Sequence, residues 1–244
     1  MDNHYIILSC GWNCEKYVRE HIESVQGQTY KNYTHILIDD ASTDHTHRNI
    51  LKYAKGTRVK IHRNKENIKW IRNALSYLSG KDDDIVVLLD LDDFLLNKNA
   101  LSIVNKAYND TNCWITSSQF IYQSNKVSSS WIPEYSKKVI ENKLFREHAW
   151  SFTHLRTFKY FLWNRLDKND LKGKDGKYAR CTYDQFLCLP MLEMATPDHY
   201  FHIRQPLYAY NDRNPMNVHR TNHNEQLENE RFVRSKKKYD TLYK

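Results

Sequence analysis

The run IVVLLDLDDFLL, residues 85–96, limits what this chain can fold into more than any other stretch. Ile85 to Leu89 are apolar without alternation, so the strand they form is covered on both faces, as in a parallel sheet of an α/β fold. The strand breaks at once into three carboxylates, Asp90, Asp92 and Asp93. Like charges this close repel, and the end of a buried strand tolerates them when a cation or hydrogen-bond donors stand among them. Asp90 and Asp92 are separated by one residue, so in an extended chain both face the same side. The cluster asks for a divalent ion. A plainer reading is a set of helix-capping acids before Asn97, which suits Asp93 taken alone.

A second strand ends the same way. THILIDDASTD runs His35 to Ile38 into Asp39 and Asp40, and Ser42, Thr43 and Asp44 then start a helix. Around these clusters strands alternate with helices. Tyr5 to Ser9 reads as the first strand, and Asn13 caps a helix with Val18, Ile22 and Val25 on one face. A helix from about Asp44 to Ala54 precedes a short strand at Val59 to His62. Ile68, Ile71, Leu75 and Leu78 form one helical stripe, with Arg72 and Asn73 beside it. A helix around Leu101 to Tyr108 and a strand from Trp114 to Tyr122 follow. The pattern predicts a mostly parallel central sheet flanked by helices, with both acidic clusters beyond the carboxyl ends of its strands, where such sheets bind ligands.

A chain of 244 residues suits one α/β domain with a full core. No apolar run reaches the length of a membrane span, and five cysteines suggest reduced thiols, so a cytoplasmic location is expected. Cys10 and Cys14 lack a second pair at zinc-site spacing. The net charge of +8 comes from dispersed Lys and Arg and a basic end, KKKYDTLYK. No nucleic-acid-binding motif accompanies them, so no nucleic-acid partner is expected, whereas an anionic substrate or peripheral contact with a membrane fits. Glycine is scarce at six, with no G-x-G-x-x-G and no Walker-type loop, so a metal ion must neutralise any bound phosphates. The sequence leaves the oligomeric state open.

The order of motifs resembles the family-two glycosyltransferases of the GT-A fold. It is carried by Trp12 and Asn13, Gln28 and Thr29, Asp39 to Asp44, then Asn67, Arg72 and Asn73, then Asp90 to Asp93. The chain departs from the pattern at Cys10, where proline is usual, and at Ile68 and Lys69, where glycine is common. The resemblance implies a Rossmann-like nucleotide-diphospho-sugar transferase fold. It assigns residues 1–125 to donor binding and 126–222 to acceptor binding within one domain, followed by a basic tail or helix at 223–244.

The same resemblance implies an inverting transfer of a sugar from a nucleoside diphosphate donor, a UDP-sugar, to a hydroxyl of a glycan, protein or lipid, with Mn2+ or Mg2+. Cys10, Asn13, Asp39, Asp40, Arg72 and Asp90 then bind the nucleotide sugar. Asp92 and His219 hold the metal, and Asp93 and Trp150 serve the acceptor or support the site. Asp184, in the segment TYDQFLCLPMLEMA, takes the role of general base, although Tyr183 stands where glutamate is commoner. Each has a plainer reading: Asp40 as part of a capping box, Arg72 as an exposed helix arginine, Asp184 as an acid drawn to a helix N-terminus, Trp150 as packing. The glycine-rich loop after strand one that a sugar-phosphate nucleotidyltransferase needs is missing. A silent sugar- or nucleotide-binding scaffold of the same fold is the alternative to an enzyme.

Overall fold

The computed structural model describes residues 2–243, with Val218 and His219 described by their backbone alone. Strand β1 (Tyr5–Gly11) pairs in parallel with β2 (Tyr33–Asp39) on one side and β4 (Ile85–Leu88) on the other, and β3 (Val59–Arg63) lies outside β2. The chain builds outward from β1 to β3 and then returns to β4, so the order reverses between β1 and β4. At such a point the loops leaving the two strands diverge and leave a crevice. Every residue of β4 is buried, which is the arrangement its unbroken apolar run requires.

Beyond β4 the sheet becomes mixed. Strands β5 (Phe94–Leu95), β6 (Ile115–Tyr122), β7 (Arg156–Lys159) and β8 (Tyr200–Tyr210) complete the order β3-β2-β1-β4-β7-β6-β8-β5. β7 is antiparallel to both β4 and β6, while β6 and β8 are parallel. Helices α1 (Val18–Gln26), α2 (Thr46–Tyr53), α3 (Lys69–Tyr77) and α4 (Ala100–Thr111) connect the early strands. Their apolar stripes pack on the sheet; Val18, Ile22 and Val25 of α1 are all buried. Asn13 does not cap α1, which starts five residues later. It stands in the left-handed region at φ 55, and its side chain accepts from the backbone N–H of Thr43 at 2.9 Å.

The second half adds α5 (Lys137–Glu141), α6 (Tyr160–Arg165), α7 (Tyr183–Ala195), α8 (Val218–Thr221) and α9 (His223–Ser235). From Gln185 onward α7 is buried on all sides, which is why its sequence is apolar without a stripe. The C-terminal segment fastens onto this helix. Arg146 forks onto Glu193 of α7 at 2.5 and 2.8 Å and donates to the carbonyl of Val233, and the N–H of Leu242 reaches Met194 at 2.9 Å. Among the described residues no helix is long and apolar enough to cross a membrane.

One glycine sets how closely the first loop approaches the acidic run. A Cβ on Gly11 would lie 2.6 Å from the Cβ of Leu91 and 2.8 Å from Sγ of Cys14. Gly11→Ala is therefore expected to cost about 1–3 kcal/mol of stability through overpacking, read as a lower urea midpoint with an unchanged slope.

Candidate active site

The crevice beyond β1 and β4 is a cavity of about 310 Å³. Cys10, Asp40, Asp90, Asp92, Asp93 and Asp184 all line it, so residues from four separate segments of the sequence meet there. Asn13, Asp39, Arg72 and Trp150 are not in its wall. The side chain of His219 lies outside the described residues.

Asp90 is held from above by two aromatic residues. The hydroxyl of Tyr183 donates to its carboxylate, 2.8 Å from each oxygen, and Nε1 of Trp70 donates at 3.1 Å. The two rings stack with centroids 4.1 Å apart and planes 5° off parallel, joining α3 to α7 across the cavity. Burial, followed by the charge of Asp92, pushes the pKa of Asp90 up to about 7. Asp92 is also raised, by burial, and one of its oxygens accepts from the side-chain amide of Asn214 at 2.7 Å. Asp93 turns the other way. It is 2 % exposed and ties the turn to β8, accepting from the hydroxyl of Tyr208 at 2.5 Å and the N–H of Asn211 at 2.6 Å.

A buried histidine, His21, props the turn, with His35 3.3 Å behind it. Nδ1 of His21 donates to the carbonyl of Asp93 at 2.7 Å, and its Nε2 meets Oγ of Ser9 at 3.0 Å. Burial lowers His21 to about 4, so near neutral pH the ring is uncharged and serves as a spacer.

The second acidic cluster is spent on backbone. Asp40 accepts from Nδ2 of Asn64 at 2.7 Å, from the N–H of Ile68 at 3.0 Å and from the N–H of Lys69 at 2.9 Å, so it caps the start of α3. Lys69 itself is left-handed at φ 68, which explains why glycine is common at this position of the pattern. Asp39 is 0 % exposed; Oδ1 accepts from the N–H of Ser42 at 2.9 Å, and Oδ2 lies 3.1 Å from Nε of Arg63. Removing this carboxylate strands both a buried N–H and an arginine. Asp39→Ala is expected to cost roughly 1.5–3 kcal/mol in a urea melt. Arg72 is exposed and lies 3.8 Å from Glu66, away from the cavity.

Asp184 occupies the first turn of α7, next to Tyr183, and Nη2 of Arg156 sits 3.0 Å from its Oδ2. Arg156 is itself buried, with Nε donating to the carbonyl of Phe152 at 2.9 Å. Its guanidinium lies 5.9 Å from the ring centroid of Trp150, which stands outside the cavity wall. The sequence reading passed over Arg156, Trp70 and Asn214, and noted Tyr183 only as a departure. Tyr183 adjoins Asp184 and was within reach of that argument. Trp70 and Asn214 carried no local signal, because only the tertiary fold sets them beside the carboxylates.

Among the described residues no three His, Cys, Asp or Glu side chains form a ready metal cage. The donor set suits a site that a substrate completes. Two carboxylates, each with its proton affinity raised, face one cavity, and divalent magnesium commonly takes one or two carboxylates and draws the rest from phosphates.

The fold and this crevice define a GT-A-type glycosyltransferase, and residues 7–169 match the family model described as glycosyl transferase family 2. The chain belongs to that family. It is 40% identical over 84 residues to EpsE of Bacillus subtilis (strain 168), named as a glycosyltransferase, in a match covering 34% of this chain and only 30% of EpsE. An Escherichia coli relative, WfgD, named as a UDP-Glc:alpha-D-GlcNAc-diphosphoundecaprenol beta-1,3-glucosyltransferase, is 26% identical over 190 residues, covering 70% of this chain and 72% of its own. Among solved structures, S. aureus TarS 1-349 in complex with UDP-GlcNAc superposes with a TM-score of 0.65 at 17% identity, over 86% of this chain and 59% of that one.

Proposed function

We propose that this chain transfers one sugar from a UDP-sugar to an acceptor hydroxyl, with inversion at the anomeric carbon and with Mn2+ or Mg2+ bound alongside the donor. The observation that carries this reading is that Asp90, Asp92 and Asp184 all line one cavity of about 310 Å³. Asp90 and Asp92 offer anionic oxygens suited to a cation that a diphosphate shares, and Asp184 offers a carboxylate to the incoming nucleophile.

Asp92, with Asp90 beside it, would hold the divalent ion, which when bound supplies positive charge to the two donor phosphates. Asp90 is positioned by Tyr183 and Trp70 to face the donor's ribose and sugar. Asp184 takes the proton of the acceptor hydroxyl as its oxygen bonds to the anomeric carbon, while the bond from that carbon to the phosphate oxygen breaks and UDP departs. Arg156 fixes one oxygen of Asp184 and so orients the base. Asp93 keeps the turn in register with β8 and does not itself react.

The WfgD name specifies a UDP-sugar donor and a lipid-diphosphate-linked sugar acceptor. The same kinds of substrate suit this chain: a UDP-sugar, and a glycan carried on a lipid, with the protein acting in the cytoplasm at a membrane surface. Incubation with UDP-sugars and manganese tests the reading through release of UDP. Manganese-dependent UDP release supports it. Binding of UDP with no release under any donor or acceptor supports a silent scaffold instead.

A further inference from the structure

We propose that Lys69 is a donor-binding residue of this chain: its ammonium group neutralises the diphosphate of the bound nucleotide. The inference rests on the donor-site reading above.

Lys69 is left-handed at φ 68, a conformation that glycine adopts freely and a lysine adopts at a cost. A non-glycine residue held there in a cavity wall points to a use for its side chain. That side chain is half-buried, with Nζ 5.8 Å from the ring centroid of Trp12, another residue of the same wall.

The alternatives for neutralising phosphate in this crevice are already committed. The N–H groups of Ile68 and Lys69 at the start of α3 are taken by the carboxylate of Asp40. In the loop after β1, the N–H groups of Asn13, Cys14 and Glu15 are taken by Ser42, Thr46 and Asp44. Arg156 is paired with Asp184. Among the described residues that line the cavity, Lys69 and Arg180 are the cations for which no ion pair is seen, and Arg180 stands on the acceptor side, just ahead of α7. Lys69 stands on the donor side, beside Trp12 and Asp40.

Lys69→Gly makes a clean test, because it removes the amine and relieves the backbone together, so a loss of binding cannot be put down to a damaged fold. With manganese present, UDP and pyrophosphate are measured by calorimetry and uridine by NMR titration, on the parent, Lys69→Gly, Lys69→Arg and Arg180→Ala. Lys69→Gly is expected to lose about 10- to 100-fold in affinity for UDP and pyrophosphate, to keep uridine within about twofold, and to melt no lower than the parent. Lys69→Arg should keep most of the UDP affinity. Unchanged UDP affinity in Lys69→Gly overturns the proposal, as does an equal loss for uridine, or a loss confined to Arg180→Ala. If the parent binds none of the three ligands, the donor-site reading itself falls.

Discussion

Asp184→Asn is expected to lower the rate of sugar transfer by about 10² to 10⁴ while leaving the dissociation constant for UDP within about threefold. The amide keeps the shape of the carboxylate and can still accept from Arg156 through its oxygen, but it cannot take a proton from an acceptor hydroxyl. The cost falls on the chemical step, because the proposed contacts of the metal and the diphosphate are made by Asp92, Asp90 and Lys69 and not by Asp184. Steady-state transfer rates and calorimetry with UDP, on the same preparation, check it. A near-parental rate would remove Asp184 from the role of base. Its obvious substitutes are poor ones: Glu193 is buried in its pair with Arg146, and Asp93 is closed off by Tyr208 and Asn211. Collapse of UDP binding along with the rate would place the residue in the donor site or the fold.

The unbroken apolar run before Asp90 and the second strand ending in Asp39 were enough to give a parallel α/β unit with its ligand crevice at the strand ends. Both are local signals, since each depends on which residues a strand must bury. The place of Asp184 in the first turn of α7 was legible, whereas the role of base came only from the resemblance. The clamp on Asp90 was not legible. Trp70 and Tyr183 are more than a hundred residues apart, and nothing in either segment states that α3 and α7 bring their rings into a stack. The roles within the second cluster were also hidden. Asp39 and Asp40 look alike in sequence, yet one is enclosed and pairs with an exposed Arg63, and the other spends three acceptances on the loop that starts α3. Arg72 was drawn in by its place in the motif. Helical spacing next to an apolar stripe fixes the face of a long side chain only loosely, and this one points to Glu66 and solvent.

Removal of the metal, or of the carboxylate proposed to hold it, should have the largest effect on binding. Chelation with EDTA and the substitution Asp92→Asn are each expected to weaken UDP by about 30-fold or more, in line with the roughly 2–5 kcal/mol lost when one partner of a buried charge pair is removed. Charge is the reason. Asp90 and Asp92 share the crevice with an incoming diphosphate, and the loop N–H groups that could receive phosphate are occupied. Protonation gives this prediction a second readout. A carboxylate whose pKa is raised on folding binds more protons folded than unfolded, so the native state is penalised as pH rises from the ordinary value near 3.8 to about 7, the value for Asp90. Asp92 shifts in the same direction. The penalty is absent below that window and complete above it, and a bound cation relieves it. Manganese should therefore raise the melting temperature more at pH 8 than at pH 5.5, and Asp92→Asn should shrink the difference. Equal shifts at both pH values, or UDP affinity indifferent to chelation, would mean that the carboxylates are balanced by protein donors alone and that Tyr183, Trp70 and Asn214 suffice to hold them.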